Sequence, residues 1–265
     1  MELLKDVLSS TAWQMEVPQA YGVFHISFVL IGFFVSFTLA FLLRKLSDRA
    51  NKILIFSVGA ILLVAEVYKQ LMYKFVIDPD VLYHWGAFPF HLCSVPMYLC
   101  LIIPFLKEGR VQQTMYDFLM TYNLLGGFIS FFEPSGLLHR YVMTTAHSLF
   151  WHMSLVFLGA YVAFSRRGKT EKKNYVQATV MFLALCVVAF ILNCAFWEIS
   201  EGALNNFFVG PRVSSLIVFN QIGETFGWYV STAVYIPAVC LGAGIIFTVI
   251  RLISTHSHKR KTKSL

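Results

Sequence analysis

The chain has 265 residues, 57% of them hydrophobic and only 13% charged, with a net charge of +7 and a mean hydropathy of +0.66. Soluble domains carry about 25% charged residues, so this composition excludes a soluble enzyme domain and points to a polytopic membrane protein. The basic excess, which in a soluble chain would suggest a nucleic acid, sits between apolar runs, and no nucleic-acid partner is expected.

A bilayer needs about 20 apolar residues per helix. Runs of that length predict seven transmembrane helices near 22–43, 53–75, 88–106, 114–132, 142–164, 176–197 and 229–252. They would pack as one all-α domain over residues 1–265. The first run follows Glu2, Asp6 and Glu16, without a basic region before it or a small-residue cleavage site after it. It therefore reads as a retained helix rather than a signal peptide. The connections after the odd-numbered helices hold 16 of the 21 lysines and arginines; the positive-inside rule then puts the N-terminus outside and the C-terminus in the cytoplasm, ending in a short basic tail at 254–265. Pro18, Pro79, Pro89, Pro134 and Pro211 mark helix ends, while Pro96 and Pro104 fall inside the third run and predict a kink. Gly126, Gly127, Gly242 and Gly244 would permit close helix approach, and Trp85, Trp151, Trp197 and Trp228 suit the outer interface or a cavity rim. The five cysteines all lie inside the runs with no CxxC pair, so neither a disulfide framework nor a metal centre is expected.

Polar residues inside these runs collect toward one side. The second helix carries Glu66 and Lys69, whose i, i+3 spacing predicts an ion pair. The third carries His91 and Cys93, and the fifth His147, Ser148 and His152. The sixth would end in a polar stripe of Cys194, Glu198, Glu201 and Asn205. With an insertion cost of roughly 2.5 to 3.5 kcal/mol for a charge at membrane depth, this set predicts a polar cavity in the outer half of the bundle, walled by helices two, three, five and six. His84, His139 and Glu201 read as interfacial side chains. Histidine suits a general base and cysteine a nucleophile in acyl transfer. At 1.5 Å of rise per residue, Cys93 reaches the depth of either His147 or His152, which leaves the partner open.

The segment "PFHLCSVPMYL", with "EVYKQ" before it and "HMSLVFLGAY" and "NNFF" after it, resembles the YwaF and transmembrane protein 164 family of polytopic membrane proteins over most of the chain. The resemblance implies a phospholipid acyltransferase-like reaction on membrane lipids, with no cofactor or metal, in a bacterial cell membrane rather than the endoplasmic reticulum. It favours His152 over His147 as base, with Cys93 and His91 as the other catalytic candidates. Glu66, Lys69, His147, Asn205 and Asn206 would then serve substrate binding. The eukaryotic branch has its cysteine directly before the histidine, where this chain has Phe90. A non-enzymatic transporter or receptor would need the same cavity without a nucleophile, and a metal site would use the same histidines with Glu66. A retinal protein is excluded because Tyr229 to Leu252 contains no lysine.

Overall fold

The computed structural model describes residues 2–262. Ten α-helices follow in order: α1 (Glu2–Ser10), α2 (Val23–Leu43), α3 (Asp48–Met72), α4 (Val95–Ile102), α5 (Arg110–Phe118), α6 (Leu124–Ile129), α7 (Val142–Phe164), α8 (Lys172–Ala195), α9 (Ile217–Phe226) and α10 (Trp228–Thr262). No strand occurs among the described residues, so the architecture is all-helical. Among the described residues, five segments are long and apolar enough to cross a membrane: Val23–Leu43, Asp48–Ile77, Val142–Phe164, Lys172–Ala195 and Trp228–Thr255. The second of these is α3 extended by a π turn, Tyr73–Ile77.

The runs at 88–106 and 114–132 take another form. Residues 88–94 are not helical, and α4 begins only at Val95. Pro96 lies in the first turn of α4, where its missing N–H removes no helical bond, so it starts the helix instead of kinking it. Pro104 falls in the 3-10 turn Ile103–Phe105 that ends the segment. Further on, α5 and α6 join through the π turn Leu119–Asn123 and form one helical run from 110 to 129, about 30 Å long at 1.5 Å per residue. At the C-terminus, α10 continues as helix to Thr262, into the basic tail assigned to 254–265; residues 263–265 of that tail lie outside the described ones.

Helix α7 is the most buried of the five long helices and α2 the least. The reason is local: α7 offers small side chains where its neighbours press closest. A Cβ on Gly159 would stand 2.5 Å from the Leu124 Cβ, and one on Gly127 would stand 2.8 Å from the Leu155 Cβ and 3.0 Å from the His152 carbonyl oxygen. On the other side of the bundle, Gly59 brings α3 onto α4, its missing Cβ being 2.9 Å from that of Cys100. Of the four glycines singled out in the sequence, Gly127 makes this kind of backbone approach, while nothing lies closer than 4.0 Å to a Cβ at Gly126. Between α5, α7 and α8 the core is aromatic: Tyr122 stacks on Phe118 at 5.4 Å and Phe182 at 4.7 Å, and its hydroxyl meets the Thr179 hydroxyl at 2.8 Å. Neither α1 nor α9 was anticipated. Helix α1 buries Leu8 and lies beside the π turn that ends α3.

Candidate functional site

The last turns of α3 build one wall. Glu66 is 4% exposed and pairs with Lys69 at 2.9 Å, the i, i+3 contact that the spacing predicts. Gln70 completes the arrangement by donating to the Glu66 carboxylate at 2.7 Å and to the Ala87 carbonyl at 2.7 Å, and Lys69 donates to that same carbonyl at 3.3 Å. The chain leading into α4 is therefore fastened to α3 by its backbone. The Tyr98 hydroxyl donates to the Pro89 carbonyl at 2.8 Å, and the Trp151 indole of α7 to the Cys93 carbonyl at 2.8 Å. Irregular backbone at membrane depth is stable only when protein groups satisfy it, and these bonds do so.

His91 to Ser94 form a turn closed by the Ser94 amide on the His91 carbonyl at 2.9 Å. Cys93 thus stands in a turn ahead of α4 and not inside a helix. The His91 ring lies 6.0 Å from the Phe208 ring. On α7, His147 stacks on Trp151 at 5.3 Å, and its Nε2 is buried without a partner. His152 Nδ1 lies 2.8 Å from the Ser148 carbonyl. A carbonyl only accepts, so Nδ1 carries the proton and Nε2 the lone pair. No hydrogen bond occupies that Nε2. The Lys69 ammonium lies near enough to act electrostatically on His91, Cys93, His147 and His152.

Thiol and imidazole do not pair: among the described residues no hydrogen bond joins the Cys93 thiol, which is free, to a histidine. The expected polar stripe on the sixth helix is also corrected. Helix α8 stops at Ala195 with Phe196 as its cap, Glu201 takes a left-handed conformation (φ +50°), and Cys194 is exposed. What holds this loop is Asn193, which the sequence reading passed over although it interrupts an apolar run. Its side chain donates to the Asn206 carbonyl at 3.0 Å and the Val209 carbonyl at 2.7 Å, and accepts from the Asn206 amide at 2.8 Å. Asn205 donates to the Val213 carbonyl at 3.3 Å. Asn206 is fully buried, yet neither atom of its side-chain amide has a partner. The next two residues, Phe207 and Phe208, both sit at φ +54°, a strained conformation for non-glycine residues. Phe207 packs on Phe90 at 5.7 Å, so the strained turn abuts the segment that carries His91.

His84 pairs with Asp78 at 2.7 Å and stacks on Tyr73 at 4.4 Å. His139 Nε2 meets the Ser148 hydroxyl at 3.3 Å, and burial holds its ring below the ordinary histidine value. All five thiols are free. Among the described residues no three His, Cys, Asp or Glu side chains gather closely enough to hold a metal ion. An apolar groove of about 250 Å³ opens between α2, α3 and α7, lined by Ser36, Leu39, Leu62, Phe150, Met153 and Phe157.

A family model described as the TMEM164 family matches residues 20–252, nearly the whole helical region. The chain belongs to the TMEM164 family. That match takes in α2 to α9 and most of α10, and with them every residue of the polar set. No curated protein and no solved structure matches the chain significantly. This TMEM164-family chain is thus, over its described residues, an all-helical membrane protein.

Proposed function

We propose that this protein transfers fatty acyl groups of membrane phospholipids, with the His152 imidazole as general base. The observation that carries the reading is the His152 tautomer: Nδ1 is committed to the Ser148 carbonyl, and Nε2 is left with a lone pair and no partner. The acyl ester as substrate class follows from the family resemblance, and the 250 Å³ apolar groove on α3 and α7 has the character needed to seat a chain.

In this mechanism an acceptor hydroxyl gives its proton to His152 Nε2 as its oxygen bonds to the ester carbonyl carbon. The carbon–oxygen bond to the donor lipid then breaks, and Nε2 returns the proton to the leaving oxygen. The Asn206 amide, buried with unused donor capacity, supplies a hydrogen bond to the developing oxyanion. Lys69, held by Glu66, supplies positive potential, and His91 orients or relays a proton. Direct transfer is preferred to a thioester route because Cys93 has no base in contact, and a thiol without one is weakly nucleophilic. Asn205, tied to the Val213 backbone, shapes the loop that presents Asn206.

The test compares the lipid composition of membranes carrying wild type, His152→Ala, His91→Ala and Cys93→Ala at matched expression. An acyl-chain shift in the wild type that disappears with His152→Ala and persists with Cys93→Ala is expected. Loss with Cys93→Ala as well would replace direct transfer by a covalent route, and no shift in the wild type would favour a transporter or receptor for a lipidic ligand.

A further inference from the structure

The opposite end of the bundle holds a polar cavity. It measures about 410 Å³, inside the range of small-molecule sites, and its lining includes Lys52, Arg166, Arg167 and Lys169 against two carboxylates, Asp48 and Glu108. One of those carboxylates is already used, since Asp48 pairs with Arg167 at 2.9 Å. Lys52, Arg166 and Lys169 make no ion pair among the described residues. From Asn51 on its rim to Glu66, α3 covers about 22 Å at 1.5 Å per residue, so this cavity is distinct from the site of His152.

The loop between α7 and α8 that carries three of these cations is fixed in place. Asp117, itself 1% exposed, accepts the Lys169 backbone amide at 2.8 Å, the Gln113 side chain at 2.9 Å and the Asn174 side chain at 2.7 Å. Gln113 also donates to the Arg167 carbonyl at 2.8 Å, and the Arg167 guanidinium donates to the Leu46 carbonyl at 3.3 Å. Below the rim, Asn51 links the Tyr116 and Tyr161 hydroxyls at 2.9 Å each, a buried polar floor. Arg166 follows the last turn of α7 at φ +59°. Glycine fills this helix-ending position without steric cost, yet an arginine stands there, exposed and among the residues that line the cavity. A rigid frame, a strained arginine and unpaired cations form a preorganised anion site and not merely a solvated basic loop.

We propose that this cavity binds a phosphate-bearing anion. Its chemistry fits a phosphomonoester, supplied either by an anionic lipid headgroup in the adjacent leaflet or by a soluble phosphate compound; Lys52, Arg166 and Lys169 contact the phosphate while Arg167, locked to Asp48, holds the wall.

The experiment uses the purified full chain in neutral detergent, titrated with dioctanoyl phosphatidic acid and with glycerol 3-phosphate, and with dioctanoyl phosphatidylcholine as control. Saturable binding of phosphatidic acid alone identifies a lipid headgroup, and equal binding of glycerol 3-phosphate identifies a soluble source. Each cation removed, in Lys52→Gln, Arg166→Gly or Lys169→Gln, should weaken binding about fivefold, the effect of one basic residue beside an anionic headgroup. Arg166→Gly carries most weight because it relieves the left-handed backbone, so its melting temperature should hold or rise while affinity falls. Absence of saturable binding to either phosphate probe, phosphatidylcholine binding equal to that of phosphatidic acid, or affinity unchanged in Arg166→Gly and in the triple variant would overturn the proposal.

Discussion

Removing Lys69 alone should harm the protein more than removing Lys69 and the charge of Glu66 together. Glu66 and Lys69 have side chains 6% and 19% exposed and meet at 2.9 Å. Breaking a buried pair from one side strands a charge and costs about 3–5 kcal/mol. The partial exposure of Lys69 and the Gln70 bond to Glu66, 2.7 Å long, reduce that to about 2–4 kcal/mol for Lys69→Met. In Lys69→Met with Glu66→Gln no charge remains, and the cost should fall to about 1 kcal/mol, a coupling near 2 kcal/mol. At about 2–4 °C per kcal/mol for a chain of this size, the single variant should melt roughly 5–10 °C below wild type and the double only a few degrees below. Tryptophan fluorescence during heating in detergent measures both, and the gap should survive 0.5 M salt because a desolvated pair is poorly screened. A single variant no less stable than the double would refute the claim that the pair is desolvated.

Asn193→Ala should cost about 3 kcal/mol, since it strands the Asn206 amide and the carbonyls of Asn206 and Val209 in the interior, a loss that chemical denaturation will show. Gly127→Val should destabilise by about 1–3 kcal/mol, because its side chain must enter space held by Leu155 and the His152 carbonyl; helix α7 should shift and activity should drop further than stability. His139, kept below the ordinary histidine value by burial, binds fewer protons folded than unfolded. The stability it contributes is present above an unfolded pKa of about 6.5 and is lost as the pH falls toward the lower folded value, so His139→Gln should flatten the fall of melting temperature between pH 7 and pH 5.

The long helices and the Glu66–Lys69 pair were legible because both depend on local spacing alone. An apolar run, however, looks the same whether it is helical or not. Residues 88–94 therefore passed for the start of a helix, although Pro89 and Pro96 bracket the irregular stretch. Periodicity was likewise carried beyond Ala195 to a stripe that does not exist, while Asn193, lying inside the helix, was the polar group that mattered. Gln70 was overshadowed by its charged neighbours, yet it is the residue that joins the ion pair to the Ala87 carbonyl. The tautomer of His152 could not be read from composition, because it depends on the Ser148 carbonyl being in reach of His152 Nδ1. The cavity at the basic end was hidden for a similar reason: its cations come from α3 and from the loop after α7, and only Asp117 and its partners bring that loop into place.

The most direct measurement of the account incubates purified protein with a phospholipid labelled in its acyl chain and an unlabelled lysophospholipid acceptor. Wild type should move label to the acceptor. His152→Gln should lower the rate by at least about a hundredfold, the usual worth of a general base, while Cys93→Ser stays near wild type and no acyl-protein accumulates. Label transfer undiminished in His152→Gln, or an acyl thioester trapped on Cys93, would contradict the account.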